Sequence, residues 1–169
     1  MRLHRPAARL VIPSSAGVYG VVERLPIATD SPLRPLSPYG LHKKMAEDLC
    51  ASYARHFGLS VAIVRLFSVY GIGLRKQLLW DACMKLSAGG ASFGGTGRET
   101  RDWLHVDDAT TLMLRAAEQA TADCPVVNGG SGAAVEIHAL VATLAEALGM
   151  QAAPRFSGQV RPGDPTHYL

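Results

Sequence analysis

The residue patterns for disulfide bonding, metal ligation and membrane spanning are all missing from this chain. Its three cysteines, Cys50, Cys83 and Cys124, are odd in number and far apart, with no Cys-x-x-Cys pair. Reduced thiols in a cytoplasmic protein are the expectation. The six histidines include no His-x-x-x-His or similar spacing, so no metal site is expected. No uninterrupted apolar run approaches the roughly 18 residues that a membrane span needs. Charged residues are only 18% of the chain, and the net charge of +3 is scattered, which leaves no electrostatic footprint for nucleic acid. Acids are absent before Glu23, but no apolar signal core follows the basic start. Nor does any strand–Gly-x-Gly-x-x-Gly–helix unit with a downstream acid occur. Gly130-Ser131-Gly132-Ala133-Ala134-Val135 comes nearest, yet it ends on Val where close helix–strand packing needs Gly or Ala, so it reads as a turn.

What is present is an alternation of two periodicities. At 169 residues and 48% hydrophobic, the chain suffices for one domain with a sizeable core. Leu10-Val11-Ile12, ending at Pro13, reads as a buried parallel strand. Residues 23–38 hold four prolines and read as an extended loop. Ser37-Pro38 then opens a helix to about His56, on which Leu41, Met45, Leu49, Tyr53 and Phe57 recur at helical spacing before Gly58. Residues 60–67 are a β-branched strand, and Val69 to Gly73 a turn. Helices follow over residues 78–87, with Leu78, Leu79, Ala82, Cys83 and Leu86 inward, from an Asp107 or Asp108 cap to Ala120, and over 136–148. Short strands are expected at 92–94, 103–106 and 126–128. The class is α/β with a parallel sheet.

Tyr39 and Lys43 stand four apart where the long helix begins, so their side chains share a face with Cβ atoms about 5–6 Å apart. An isolated tyrosine ionises near pH 10. Acting as a base near neutrality takes a drop of roughly 3 units, or about 4 kcal/mol, and a neighbouring ammonium is one of the few local devices able to supply it. Alone, such a pair is equally a surface Tyr beside a solvated Lys. Ser15, at the end of an earlier strand, adds a hydroxyl that can share a substrate proton. The segment Pro13-Ser14-Ser15-Ala16-Gly17 lacks the Gly-x-Ser-x-Gly elbow of a hydrolase nucleophile. Gly94-Gly95-Thr96-Gly97 reads as a turn, because no Lys-Ser/Thr follows to complete a phosphate cradle. Lys76 and Gln77 fit a solvated turn better than the alternative, a place in the lining of the substrate lobe.

Five segments in order resemble one family. They are Ser14-Ser15-Ala16-Gly17-Val18-Tyr19-Gly20, Ser37-Pro38-Tyr39-Gly40-Leu41-His42-Lys43, Arg65-Leu66-Phe67-Ser68-Val69-Tyr70-Gly71, Thr100-Arg101-Asp102-Trp103-Leu104-His105-Val106-Asp107-Asp108 and Arg161-Pro162-Gly163-Asp164. Together they resemble the extended short-chain dehydrogenase/reductases of the sugar-nucleotide epimerase/dehydratase type. The resemblance covers only the second half of such an enzyme, and implies an N-terminally truncated chain without the glycine-rich dinucleotide loop. It implies a partial Rossmann-type parallel sheet (about 1–70 and 105–128) with a small C-terminal α/β substrate lobe (about 71–104 and 129–169).

The same resemblance implies the chemistry. Tyr39 would be the acid/base for a sugar hydroxyl, Lys43 would act on Tyr39 and bind the nicotinamide ribose of NAD or NADP, and Ser15 would hold the reacting oxygen. Ser68, in place of the family's Asn, would face substrate with a shorter reach. Arg101 and Arg161 would grip a diphosphate, and Asp164 would meet the nucleotide's ribose. For Arg101 the competing reading is an ion pair with Asp102, Asp107 or Asp108. The family's dehydratases carry an acidic pair after the catalytic hydroxyl. Ala16 and Gly17 stand there in this chain, so dehydration is disfavoured. The implied function is NAD(P)-dependent epimerisation of a nucleoside-diphosphate sugar by transient hydride transfer. A reductase of a sugar or other carbonyl compound, and a non-catalytic fragment that at most binds a nucleotide sugar, are the alternatives. A homodimer through the Tyr39 helix is implied, with neither nucleic-acid nor membrane partners.

Overall fold

The computed structural model describes residues 7–150, 153–160 and 166–169. Arg161 and Asp164 therefore lie outside the described residues. Strands β1 (Arg9–Ser15), β2 (Ser60–Leu66) and β6 (Val126–Gly129) form a parallel sheet in the order β1-β2-β6. Helix α1 (Pro38–Phe57) covers one face, meeting it through Ala54, Ala51 and Cys50 against Ile63, Val61 and Ile12. Helix α3 (Val106–Glu118) covers the other through Ala116 and Leu112 against Ala62 and Val64. β2 lies between the two helices and is buried from Val61 to Arg65, as its apolar run from Val61 to Val64 requires.

A second three-stranded sheet has the order β3-β5-β7, from Ser68–Tyr70, Thr100–His105 and Ala134–Glu136. A two-stranded ladder joins β4 (Ser92–Phe93) to β8 (Arg155–Phe156). Helices α2 (Gln77–Ser87) and α4 (Ile137–Ala147) pack together beside it through Ala82, Leu86, Val141 and Ala145. No helix of the described residues is long and apolar enough to cross a membrane.

Several expectations are corrected. β1 runs through Pro13 instead of ending there, pairing with Val64. It is an edge strand among the described residues, where a missing N–H costs least. Val69 and Tyr70, expected to open a turn, instead join Ser68 in a strand parallel to β5. Ala134 and Val135 likewise leave the expected turn, and Glu136 the expected helix, to pair antiparallel with β5, so this small sheet is mixed. The α3 cap is His105, whose Nδ1 accepts from the Asp107 amide at 3.3 Å, while Asp107 and Asp108 sit in the first turn. There their charge favours the positive end of the helix dipole. Gln77 is not part of a solvated turn; it opens α2 and lines a cavity.

The long helix shows the largest departure. Its regular apolar row, Leu41, Met45, Leu49, Tyr53 and Phe57, faces outward at 45–60% exposure. The inward row instead carries Glu47 and Ala54. Burial pushes the Cys50 thiol up, helped by the Glu47 carboxylate. Burial does the same to Cys124, with Cys50 and Glu47 adding to it. Such thiols are poor nucleophiles.

Candidate active site

A cavity of about 640 Å³ lies where the two sheets meet, lined by Ser15, Ala16, Gly17, Tyr39, Ser68 and Arg101 among others. Its size is that of ordinary small-ligand pockets. The structure thus brings Ser15, Tyr39, Ser68 and Arg101 to one wall-to-wall site. Lys43 is not among the lining residues.

Local rules place each group. Ser15 ends β1, and its Oγ accepts from the Gly17 amide at 3.1 Å, starting a short 3₁₀ turn, Ala16–Val18. The Ser37 hydroxyl caps α1 by accepting from the Gly40 amide at 3.1 Å, and Pro38 occupies the first turn. Tyr39 is therefore held on the first turn of a capped helix, 59% exposed toward the cavity mouth. The Lys43 ammonium stands 5.8 Å from the centroid of the Tyr39 ring, and donates to the Pro13 carbonyl at 2.7 Å. One turn of helix thus ties both groups to the end of β1.

Deeper in the fold lies a charged network that sequence reasoning passed over. Glu47 is 4% exposed and Arg65 5%. The Arg65 Nη2 donates to Glu47 Oε2 at 2.8 Å, and its Nε lies 3.1 and 3.2 Å from the two carboxylate oxygens. The Ser14 hydroxyl donates to the same carboxylate. Arg65 Nη1 reaches the Tyr19 hydroxyl at 2.9 Å and the Thr29 carbonyl at 2.8 Å. Tyr19 in turn donates to Asn128 Oδ1 at 2.7 Å. Burial works against the charge on Arg65, but hydrogen bonds and attraction from Glu47 and Tyr19 outweigh it and raise the guanidinium above its ordinary value. Removing one member of such a pair costs about 3–5 kcal/mol. The signal was available: Glu47 follows Lys43 by four residues, as Lys43 follows Tyr39, on one helical row.

Across the cavity, Asp102 is spoken for by another loop. It accepts from the Ser131 amide at 2.5 Å, the Ser131 hydroxyl at 2.8 Å and the Gly132 amide at 3.0 Å. Arg101 donates to the Thr100 carbonyl at 2.8 Å and stands 5.9 Å from the Tyr168 ring centroid. Glu99 closes the turn at residues 94–97. Burial alone would raise its pKa, but amide and hydroxyl donors from Thr96, its own amide and that of Gly97 hold the carboxyl below the usual range. Trp103 also lines the cavity, and its buried Nε1 has no hydrogen-bond partner among the described residues. Tyr168, Glu99, Asp81 and Lys85 are lining residues that no motif had marked.

Known proteins align with most of this chain. At 31% identity, a UDP-glucose 4-epimerase of Azospirillum brasilense aligns with 93% of this chain and 51% of its own length. A putative UDP-arabinose 4-epimerase of Arabidopsis thaliana is 30% identical over 92% of this chain and 41% of itself. Among solved structures, MoeE5 in complex with UDP-glucuronic acid and NAD superposes with a TM-score of 0.85 at 31% identity, over 96% of this chain and 55% of that one. DesIV, a dTDP-glucose 4,6-dehydratase from Streptomyces venezuelae, superposes at 0.86 with 27% identity, over 99% and 52%. The chain spans about half the length of the curated relatives it matches. The family profile described as NAD dependent epimerase/dehydratase matches residues 1–129, and the chain belongs to that family.

Proposed function

We propose that this chain is the catalytic and sugar-binding half of an NAD-dependent nucleotide-sugar 4-epimerase. The observation that carries the reading is the meeting of Ser15, Tyr39, Ser68 and Arg101 on one cavity, beside an Ala16-Gly17 pair that can transfer no proton. Tyr39 takes the proton of a sugar hydroxyl as the adjacent carbon gives up hydride, and returns it when the carbon is reduced again. Ser15 holds the reacting oxygen, and Arg101 faces the diphosphate. Arg161 and Asp164, outside the described residues, are assigned the diphosphate and the nucleotide ribose. The cavity is shared between a sugar-binding lobe of about residues 71–104 and 129–169 and a Rossmann part of about 1–70 and 105–128.

NAD, when bound, supplies the hydride acceptor. Lys43 fits its ribose: an ammonium has three donors, and the bond to the Pro13 carbonyl uses one. No glycine-rich dinucleotide loop lies within these residues, so the chain supplies the nicotinamide end of that site alone. The absence of an acidic pair after Ser15 favours epimerisation over dehydration. The outward apolar row of α1 is assigned to a twofold contact with a second copy.

The test is incubation of the chain with NAD and UDP-glucose, following UDP-galactose by proton NMR. Turnover that Tyr39→Phe abolishes, at UDP-sugar affinity within about twofold, supports the reading; turnover untouched by Tyr39→Phe overturns it. The match to only half of each relative favours a second reading, a module that binds the nucleotide sugar without turning it over. In that case UDP-glucose raises the melting temperature while no UDP-galactose forms.

A further inference from the structure

Helix α1 is held to the sheet by surprisingly little apolar packing. Its regular apolar row points outward, and its core contacts are the small side chains of Ala51, Ala54 and Cys50. Small residues allow a helix to slide along a sheet. Beside the close contact of Gly40 with Gly17 and the Lys43 bond to the Pro13 carbonyl at the helix start, sliding is opposed further along by the buried fork of Arg65 on the Glu47 carboxylate, with Ser14 on the same carboxylate. Two parallel N–H···O bonds define both distance and orientation. Burying two charges is, by contrast, a poor way to gain stability.

The network also has a reference frame. Arg65 lies in the central strand beside Ser14, its partner in register. It is itself fixed by Tyr19 and Thr29, and Tyr19 by Asn128 of β6. Glu47 thus ties α1 to all three strands of the sheet. Ser14 immediately precedes Ser15, so one carboxylate holds both the helix of Tyr39 and the strand end of the reacting hydroxyl.

We propose that Glu47 and Arg65 are positioning residues, whose buried pair sets the axial register of α1 and thereby places Tyr39 and Lys43 against Ser15. The role as catalytic positioning rests on the epimerase reading of that site; the register itself does not, and the test reads the register.

The chain is labelled with 3-fluorotyrosine, which gives up to five fluorine resonances, one per tyrosine, assigned by single Tyr→Phe changes. Glu47→Gln and the double variant Glu47→Met/Arg65→Met are compared with the parent. The single change leaves Arg65 buried without its counter-charge and lowers the melting temperature. The double change removes both charges at once and melts above the single variant, though below the parent, because the Ser14 hydroxyl and the Thr29 carbonyl lose their partner. In that double variant the Tyr39 resonance is expected to move by more than its linewidth or to split, while Tyr53, on the outward row of the same helix, stays in place. Tyr19, which touches Arg65, moves in either case and reports that the network is gone. A Tyr39 resonance unchanged in the double variant overturns the proposal, as does a double variant that fails to fold, since the pair is then a structural requirement alone. Neither turnover nor nucleotide-sugar binding enters this readout, so the epimerase reading can fail without it, and it can fail without the epimerase reading.

Discussion

The backbone of Gly40 lies directly against the carbonyl of Gly17. A Cβ at position 40 would collide with that oxygen and come within 3.0 Å of Pro35 Cβ. The first turn of α1 is thus docked on the 3₁₀ turn after Ser15, backbone to backbone. This contact brings Tyr39 to the Ser15 cavity, and only glycine permits it. Gly40→Ala is expected to push the helix start outward at a cost of about 1–3 kcal/mol, lowering the melting temperature by roughly 3–10 °C. Nucleotide-sugar turnover should fall further than stability alone explains. Calorimetry and initial rates below the transition check this; an alanine variant with parental melting and turnover would count against the docking.

Lys43 touches the Pro13 carbonyl and stands off the Tyr39 ring, yet does not line the cavity. Lys43→Met should therefore separate chemistry from sugar binding. Turnover is expected to drop about 100-fold, the lower end of what an acid–base device contributes. The UDP-sugar dissociation constant, read by titration calorimetry, should stay within about twofold.

Glu99 gives a pH signature. Its carboxyl is held below the ordinary range in the folded chain by donors from the Thr96–Gly97 turn, against the opposing effect of burial. The stability it contributes is therefore complete above the unfolded glutamate value of about 4.3 and fades as pH falls through the folded value. Glu99→Gln should melt below the parent at pH 7, and the gap should close as pH falls below the unfolded value of about 4.3. Melting curves of both proteins across that range measure the difference, in which other carboxylates cancel; a gap that is constant with pH would refute the assignment.

The layered α/β order was legible because periodicity reports burial: β2 is apolar without interruption from Val61 to Val64, and it is the strand enclosed between α1 and α3. The site was half legible. Ser15, Tyr39, Ser68 and Arg101 sit in motifs, and they meet on one cavity. The failures share a cause, since local pattern does not encode which face a partner covers. The strongest apolar row of α1 faces outward, and a glutamate is among the few residues the helix buries. β3 and β7 are three-residue strands that exist through pairing with β5, and nothing in Ser68–Tyr70 or Ala134–Glu136 demands extension before that partner is present. Pairing by tertiary context overrides local propensity in pieces this short.

The outward row of α1 leads to the last prediction. Leu41, Met45, Leu49, Tyr53 and Phe57 follow one another every four residues, all 45–60% exposed, with the Tyr53 and Phe57 rings 5.2 Å apart. A continuous apolar strip along a helix of 20 residues is costly to leave in water. A twofold axis across the helix would bury it against its own copy, because an isologous contact needs one self-complementary patch. Leu49 lies at the middle of the strip, where such an axis would pass. The parent is expected to sediment at twice the chain mass. Leu49→Glu, which would set two carboxylates facing each other across the axis, should sediment as a single chain with its melting temperature no longer dependent on protein concentration. Tyr39 and Lys43 lie on the same helix but on the row of Glu47, apart from that strip, so the UDP-sugar affinity of the separated chain should remain that of the parent. A parent that sediments as a monomer at tens of micromolar would remove the twofold assignment.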